Sequence, residues 1–254
     1  MKKRKAGIVI FVIVLIITAV RIKSMDSHRI SGRILAENIA GPGMLRLVEQ
    51  SMQARARKTS VTEIAVKERK HPQAALTFDD GPDIRYTPLL LDGLKERNVR
   101  VSFFLLGEKV EQYPELVERM QKEGHLVGNH TYHHVQLDKL NETKAREEIL
   151  KTNNLIYETT GVYPLYLRPP FGAWKKNLEL CVEMLPVFWT IDTLDWKVKN
   201  TEKIVRTVKE QIEDGAIILM HDEYDTSVEA ALQVVDELKN QGYELVTVDQ
   251  LILP

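Results

Sequence analysis

From residue 71 onward, short apolar runs alternate with longer amphipathic stretches. The apolar runs cover 74–78, 101–107, 125–128, 165–168, 187–192, 216–221 and 243–248. Helical stretches lie between them, near 86–97, 108–123, 141–160, 174–184, 201–214 and 225–241. Strands that alternate with helices of this length are typical of parallel βα units. We therefore predict an α/β fold with seven parallel strands, arranged as a barrel-like sheet or as an open, doubly wound one.

Polar residues and glycines at the edges of these stretches predict where helices begin and end. Asn141 and Thr201 begin helical stretches and are candidate N-caps, because a short polar side chain can accept a hydrogen bond from a free amide of the first turn. Gly124, Gly161 and Gly242 follow helical stretches and are candidate C-terminal stops.

The first 23 residues have the composition of a membrane-targeting segment. A basic cluster at 2–5 precedes 15 uncharged residues, 6–20, and Arg21 and Lys23 follow. The apolar run is short for a bilayer span and also fits a signal peptide. No cleavage-site pattern follows, and the basic side chains after the run could extend the span by snorkelling. We predict a single-pass membrane anchor over 1–23 with an extracytoplasmic body, which would be secreted if the segment were cleaved.

Charge separates residues 1–70 from the rest of the chain. Residues 1–70 contain 15 Lys and Arg against 5 Asp and Glu, whereas residues 71–254 contain 20 against 31. Residues 24–70 are therefore predicted to form a basic stalk, with a short amphipathic helix over 44–58. The acidic body argues against nucleic-acid binding, which requires clustered basic residues. The single cysteine, Cys181, excludes an internal disulfide and lies in an apolar run that predicts a buried thiol.

Several apolar runs end in residues with catalytic potential. The segments concerned are TFDDGP (77–82), GNHTYHH (128–134), YLRPPFG (166–172), TIDTLDW (190–196) and LMHD (219–222). In parallel βα architectures the carboxyl ends of the strands meet on one face, where active sites are built. We therefore expect one site formed from all five segments.

Histidines and a carboxylate in these segments predict a metal site. Four of the seven histidines lie between 124 and 134, and His130 and His134 are four residues apart. With Asp80 they form a two-histidine, one-carboxylate set, which suits zinc in a hydrolase and also non-haem iron in an oxygenase. Of the two remaining histidines, His133 is expected to be exposed and His125 to make a structural hydrogen bond.

The other polar residues suggest acid–base chemistry beside that ion. Asp79 is adjacent to Asp80, so that one carboxylate can bind metal while the other accepts a proton. His221 could act as a general acid, with Asp192 and Asp195 favouring its protonated form. Arg168 would hold a carboxylate ionised. A backbone N–H after 169–170 could donate to an oxyanion.

In these segments the chain resembles the polysaccharide deacetylase family, also called carbohydrate esterase family 4 or the NodB homology domain. Five family motifs occur in order over 71–254: 77–82, 130–134, 168–171, 192–196 and 219–221. Val135 stands where many relatives carry proline after the second metal histidine. The resemblance implies an irregular (β/α) barrel and a divalent metal, zinc being expected, with cobalt, manganese and nickel as alternatives.

The resemblance also implies a role for each motif residue. Asp79 would be the general base oriented by Arg168, and His221 the general acid tuned by Asp195. The metal ligands would be Asp80, His130 and His134. The backbone N–H near Phe171 would bind the oxyanion, and Trp196 and Leu219 would line the acetyl pocket.

The substrate implied is a polymer of acetylated amino sugars. An anchored enzyme works close to the membrane, so we expect peptidoglycan N-acetylglucosamine. Chitooligosaccharides, other glycans and O-acetyl groups remain open, as does an inactive carbohydrate-binding relative. No oligomeric state is predicted.

Overall fold

The structure is a computed structural model that describes residues 71–174 and 184–252. Its strands are β1 (Gln73–Asp79), β2 (Ser102–Leu105), β3 (Leu126–Asn129), β4 (Tyr166–Leu167), β5 (Leu185–Pro186), β6 (Ile191–Asp192), β7 (Ala216–His221) and β8 (Glu244–Leu245). Its α-helices are α1 (Tyr86–Glu96), α2 (Gly107–Gln112), α3 (Pro114–Lys122), α4 (Glu142–Thr160), α5 (Asp195–Val198), α6 (Thr201–Gln211), α7 (Asp225–Asn240) and α8 (Val248–Ile252).

The strands form one parallel sheet in the order β5-β4-β3-β2-β1-β7-β6, and β8 also pairs with β1. The central strand β1 pairs with β7 over 74–79, whereas β8 and β2 pair with its first and last residues respectively. Every strand pair in the described residues is parallel. The predicted parallel α/β fold is therefore confirmed.

The sheet curls into a half-barrel. Its outermost strands, β5 and β6, are joined only by residues 187–190. This connection can span at most about 18 Å, whereas seven strands side by side in a flat sheet would extend about 29 Å. The two edges must therefore approach each other. No pairing between β5 and β6 occurs in the described residues, so the sheet is curled without the closed ladder of a complete barrel.

The two faces of the sheet are covered by different apolar clusters. The outer face packs under the helices in a large cluster that contains Leu76 and Phe78 of β1. The inner face carries a small cluster around Ala75 and Phe104. Alternate residues of β1 point to opposite faces, so the side chains of Thr77 and Asp79 share the inner face with Ala75. The functional residues considered below are attached to that inner face and to its carboxyl edge.

Helix boundaries follow local chemistry, with two corrections to the prediction. Asn141 caps α4 by accepting a hydrogen bond from the Lys144 amide, and Gly161 ends it in the left-handed region, as predicted. The cap of α6 is Asn200, whose side chain accepts from the Lys203 amide, so the prediction of Thr201 was wrong by one residue. The helix predicted over 108–123 is divided into α2 and α3, and α3 begins at Pro114.

The strand predicted over 187–192 was also wrong, because only its last two residues pair in the sheet and 187–190 form the connection. Several predictions lie outside the described residues: the anchor over 1–23, the stalk over 24–70, the thiol of Cys181 and most of the helix over 174–184. Within the described ranges, no helix is long and apolar enough to cross a membrane.

Candidate active site

The end of β1 brings two aspartates to the centre of the carboxyl edge. In the β1–β7 register Asp79 lies opposite His221 and Thr77 opposite Leu219. Paired residues of parallel strands share a face, so these four side chains point to the interior of the curled sheet. Asp80 follows at φ 69°, a left-handed conformation that turns its carboxylate to the site from a different direction. The predicted convergence of strand ends is confirmed for these residues.

Arg168 follows β4 and holds Asp79 by a buried ion pair. Its Nη1 donates to Asp79 Oδ1 at 2.8 Å and to Thr77 Oγ1 at 2.7 Å. The Arg168 side chain is fully buried, and its guanidinium lies 4.3 Å above the ring of Phe104. Burial raises the pKa of Asp79, and the Arg168 guanidinium opposes that rise. Arg168 thus fixes one oxygen of Asp79, as predicted, and leaves Oδ2 turned toward His130.

Asp80, His130 and His134 form a cluster suited to a metal ion. Asp80 Oδ1 lies 3.4 Å from His130 Nε2 and 3.5 Å from His134 Nε2. The three candidate ligand atoms lie within 4.8 Å of one another. No other such cluster occurs among the described residues. The predicted ligand set is therefore brought together.

The chemistry of these donors fits a divalent cation. Asp80 Oδ1 is buried without a hydrogen-bond partner, although a buried carboxylate oxygen normally requires one. His130 Nδ1 lies 2.6 Å from the Arg168 carbonyl oxygen, which can only accept, so Nδ1 carries the proton and Nε2 presents its lone pair. Burial lowers the pKa of His130 to about 3, which keeps the ring neutral. A bound cation would satisfy the carboxylate oxygen and both histidine nitrogens together.

His221 faces the same site from the end of β7. Its Nδ1 donates to Asp195 Oδ1 at 2.8 Å, and its backbone N–H donates to Asp195 Oδ2 at 2.8 Å. Its Nε2 lies 3.8 Å from Asp80 Oδ2. Burial alone would lower the pKa of His221, but the hydrogen bond and charge of Asp195, with Asp79 and Asp80, raise it to about 9. In the metal-free site the protonated imidazolium is therefore favoured at neutral pH.

Only one of the two predicted partners of His221 contacts it. Asp192 instead accepts a hydrogen bond from the Leu194 amide at 2.9 Å and shapes the turn before α5. Asp195 begins α5, and its fully buried carboxylate faces the site. The spacing of the two aspartates could not distinguish these roles.

Comparison with known proteins agrees with this geometry. A family model described as polysaccharide deacetylase matches residues 66–188. A peptidoglycan-N-acetylglucosamine deacetylase of Bacillus cereus is 40% identical over 186 residues, which are 70% of this chain and 68% of that protein. This chain belongs to the polysaccharide deacetylase family. The predicted family is therefore confirmed.

Two further relatives extend the comparison. The peptidoglycan-N-acetylglucosamine deacetylase PgdA of Listeria monocytogenes is 42% identical over 185 residues, which are 73% of this chain and 40% of PgdA. The peptidoglycan-N-acetylmuramic acid deacetylase PdaC of Bacillus subtilis is 43% identical over 177 residues, 70% of this chain and 38% of PdaC. The solved structure of PdaC matches with a TM-score of 0.70 and 42% identity, over 72% of this chain and 91% of that one. This chain thus spans about 40% of the length of PgdA.

The three residues predicted to line the substrate pocket differ in exposure. Phe171 is exposed, and its ring centroid lies 4.6 Å from that of His134. Trp196 is half exposed on α5, next to Asp195. Leu219 is buried on the inner face of β7, opposite Thr77. Their roles in binding an acetyl group stay predictions.

The two spare histidines lie as expected. His125 is buried, and its Nδ1 accepts a hydrogen bond from the Val101 amide. Burial lowers the pKa of His125 to about 4, which suits a neutral structural acceptor. His133 is exposed, and its Nδ1 lies 2.8 Å from Glu148 Oε1.

Two residues with a place in the site were not predicted. Thr77 accepts a hydrogen bond from Arg168 and donates one to the Ile218 carbonyl oxygen, so it links the arginine to β7. Its position two residues before Asp79 on a strand was a usable signal, since such residues share a face. Glu148 of α4 contacts the histidine segment, and no sequence pattern indicated it.

Proposed function

We propose that this protein is a metal-dependent deacetylase that removes N-acetyl groups from peptidoglycan N-acetylglucosamine. The observation that carries the proposal is the pairing of two oriented acid–base groups across one ligand cluster. Arg168 holds Asp79 on one side, and Asp195 holds His221 on the other. Hydrolysis of an amide needs such a pair, because the attacking water must lose a proton and the departing amine must gain one.

The metal ligands in this proposal are Asp80, His130 and His134, and we propose zinc as the ion. When bound there, the ion would supply Lewis acidity toward water and toward the acetyl carbonyl oxygen. Neutral imidazoles with one carboxylate are a ligand set that zinc accepts.

Asp79 acts as the base. Its Oδ1 is occupied by Arg168, whereas Oδ2 lies 3.8 Å from His130 Nε2 and faces the ligand cluster. Oδ2 is therefore the atom that takes the proton of the attacking water. Burial raises the pKa of Asp79, and the buried guanidinium opposes that rise and so favours the ionised carboxylate.

His221 acts as the acid. Because Nδ1 donates to Asp195, Nε2 is the nitrogen that gives its proton to the sugar nitrogen as the carbon–nitrogen bond breaks. The products are acetate and a polymer with a free amine. We propose that the Phe171 amide donates to the oxyanion and that Trp196 and Leu219 enclose the acetyl methyl group.

The substrate is proposed from the relatives and from the expected location. Two of the relatives named above are peptidoglycan-N-acetylglucosamine deacetylases. PdaC, at similar identity, is named for N-acetylmuramic acid, which makes that sugar the second candidate.

We also propose that residues 1–23 anchor the protein with its body outside the cytoplasm. A reporter that functions only in the cytoplasm can be fused to the C-terminus. Activity of that reporter would contradict this topology.

Acetate release from the full-length protein in detergent tests the activity. Intact peptidoglycan, acetylated chitooligosaccharides and acetylxylan are compared, each with chelator and with zinc restored. We expect acetate from peptidoglycan only, abolished by chelator and recovered with zinc. Mass spectrometry of the digested product then assigns the free amine to glucosamine or to muramic acid.

Two variants test the assigned roles. Asp79→Asn should retain metal and lose turnover, whereas His130→Ala should lose both. Wild-type activity of Asp79→Asn would refute the base assignment. No acetate from any substrate, despite bound zinc, would favour a carbohydrate-binding protein without catalysis.

A further inference from the structure

The loop that carries the metal ligand His134 has an unusual backbone. Thr131 adopts φ 68° and His134 adopts φ 56°, both in the left-handed region. Residues with a side chain avoid this region, at a free-energy cost of about 1–2 kcal/mol each. A loop with two such residues keeps its conformation only if surrounding contacts determine it.

The amides of this loop have identifiable acceptors. The Tyr132 and His133 amides both donate to Glu148 Oε2, at 3.0 and 2.9 Å. The flanking amides use other groups: His130 N donates to the Leu105 carbonyl oxygen, Thr131 N to Asn129 Oδ1 and Val135 N to Thr131 Oγ1. Consecutive backbone N–H groups that converge in this way form an anion-binding concavity. Here the anion is the carboxylate of Glu148.

Glu148 is itself held rigidly. It lies in the second turn of α4, next to the fully buried Ile149. Asn129 ties the same helix to the end of β3 by donating to the Ile149 carbonyl oxygen and to Asn153 Oδ1. The Glu148 side chain is only 16% exposed, and its second oxygen contacts His133 Nδ1 at 2.8 Å. The carboxylate is therefore presented to the loop from a fixed position.

We propose that Glu148 is a positioning residue for the metal ligand His134. It binds the two amides that immediately precede His134 and so stabilises the left-handed turn that aims the imidazole at Asp80. In this arrangement the exposed His133 orients Glu148 and is not a ligand. The inference rests on the metal site of the proposed function and adds a residue outside its five motifs.

Zinc affinity of the full-length protein tests the proposal without using activity. Glu148→Ala is compared with Glu147→Ala, which removes an exposed carboxylate from the neighbouring position of the same helix. Affinity is measured by competition with a chromogenic chelator, well below the melting temperature of each metal-free variant. We expect about 10- to 100-fold weaker zinc binding in Glu148→Ala, the usual effect of losing an outer hydrogen-bond partner. Glu147→Ala should bind like the wild type.

Two conservative variants separate positioning from charge and from folding. Glu148→Gln keeps an oxygen that can accept both amides, and it should recover most of the lost affinity. Glu148→Asp keeps the charge but withdraws the carboxylate by one methylene, so this variant should bind zinc weakly. In the cobalt-substituted protein, Glu148→Asp should also change the visible absorption spectrum, because the ligand geometry changes.

The zinc affinities of these variants decide whether Glu148 positions His134. Wild-type zinc affinity in Glu148→Ala, or in Glu148→Asp if the alanine variant does not fold, overturns the proposal. Weak binding by Glu148→Gln also overturns it, since the charge and not the hydrogen bonds would then be responsible. If the wild type itself binds no zinc, the metal site fails together with the inference. If the wild type and all variants bind equally, the metal site stands and only the role of Glu148 is refuted.

Discussion

The buried pair of Arg168 and Asp79 allows a quantitative test of how the site is built. The perturbation is Arg168→Met, which removes the charge and approximately keeps the volume of the side chain. Arg168 is fully buried and donates to Asp79 and Thr77 at 2.8 and 2.7 Å, so methionine would leave a buried carboxylate without its partner. Removal of one member of such a pair destabilises a protein by about 3–5 kcal/mol.

The reverse perturbation, Asp79→Asn, should cost a comparable amount, because it leaves the Arg168 guanidinium buried without a counter-charge. If the two costs were independent, the double variant would lose about 6–10 kcal/mol, which exceeds the stability of many domains. The double variant contains neither charge, so we expect its loss to be smaller than that sum by about 2–3 kcal/mol.

Equilibrium unfolding in urea at pH 7.5 measures all four proteins. The protein is kept free of metal, because an ion bound to the native state would add its own stabilisation. Glu147→Gln, on the exposed face of α4, serves as a neutral control. If the double variant loses as much unfolding free energy as the two single variants together, to within about 0.5 kcal/mol, the coupling is refuted. Arg168 would then stabilise the fold without acting through Asp79.

Three further outcomes follow from the structure. Asp222 is fully buried, and its burial raises its pKa to about 7. The folded protein keeps a proton that the unfolded chain releases, so the contribution of Asp222 to stability should fall by about 3 kcal/mol between pH 4 and pH 7. Asp222→Asn should abolish most of that fall in unfolding free energy, and an unchanged pH dependence would contradict the assignment. Gly81→Ala would place a Cβ 2.5 Å from Asp222 Oδ1, so it should lower the melting temperature, and adding Asp222→Ala should restore part of the loss. Zinc at 100 times its dissociation constant should stabilise the wild type by about 2.7 kcal/mol, but not His130→Ala, as measured by thermal unfolding.

The sequence predicted those parts of the fold that are encoded locally. The runs at 74–78 and 216–221 appear as β1 and β7 almost residue for residue, because long buried strands are continuous apolar segments. The strands at 166–167, 185–186 and 191–192 have two residues each. A two-residue strand has no periodicity, and it exists only because a neighbour is present to pair with it.

The residues of the candidate site also divide into those that local sequence predicts and those that depend on tertiary packing. Asp80, His130 and His134 could be proposed from spacing and from their places at strand ends, since parallel strands bring those ends together. Glu148 could not, because a glutamate on a polar helix face has the same pattern whether it faces solvent or a loop. Its contact with the Tyr132 and His133 amides depends on how α4 packs beside β3.

Backbone conformation explains why the loop that carries His134 needs the hydrogen bonds of Glu148. Seven non-glycine residues in the described part of the chain have positive φ, and five of them lie in loops that follow strands at the site: Asp80, Thr131, His134, Phe171 and Leu194. Glycine would relieve the strain at each position, but at Asp80 and His134 it would remove a candidate metal ligand. The strain must therefore be offset by neighbours such as Glu148, which contribute no ligand. It follows that substitutions beside the ligands should weaken metal binding well before they unfold the sheet, because the sheet is stabilised by its own apolar core.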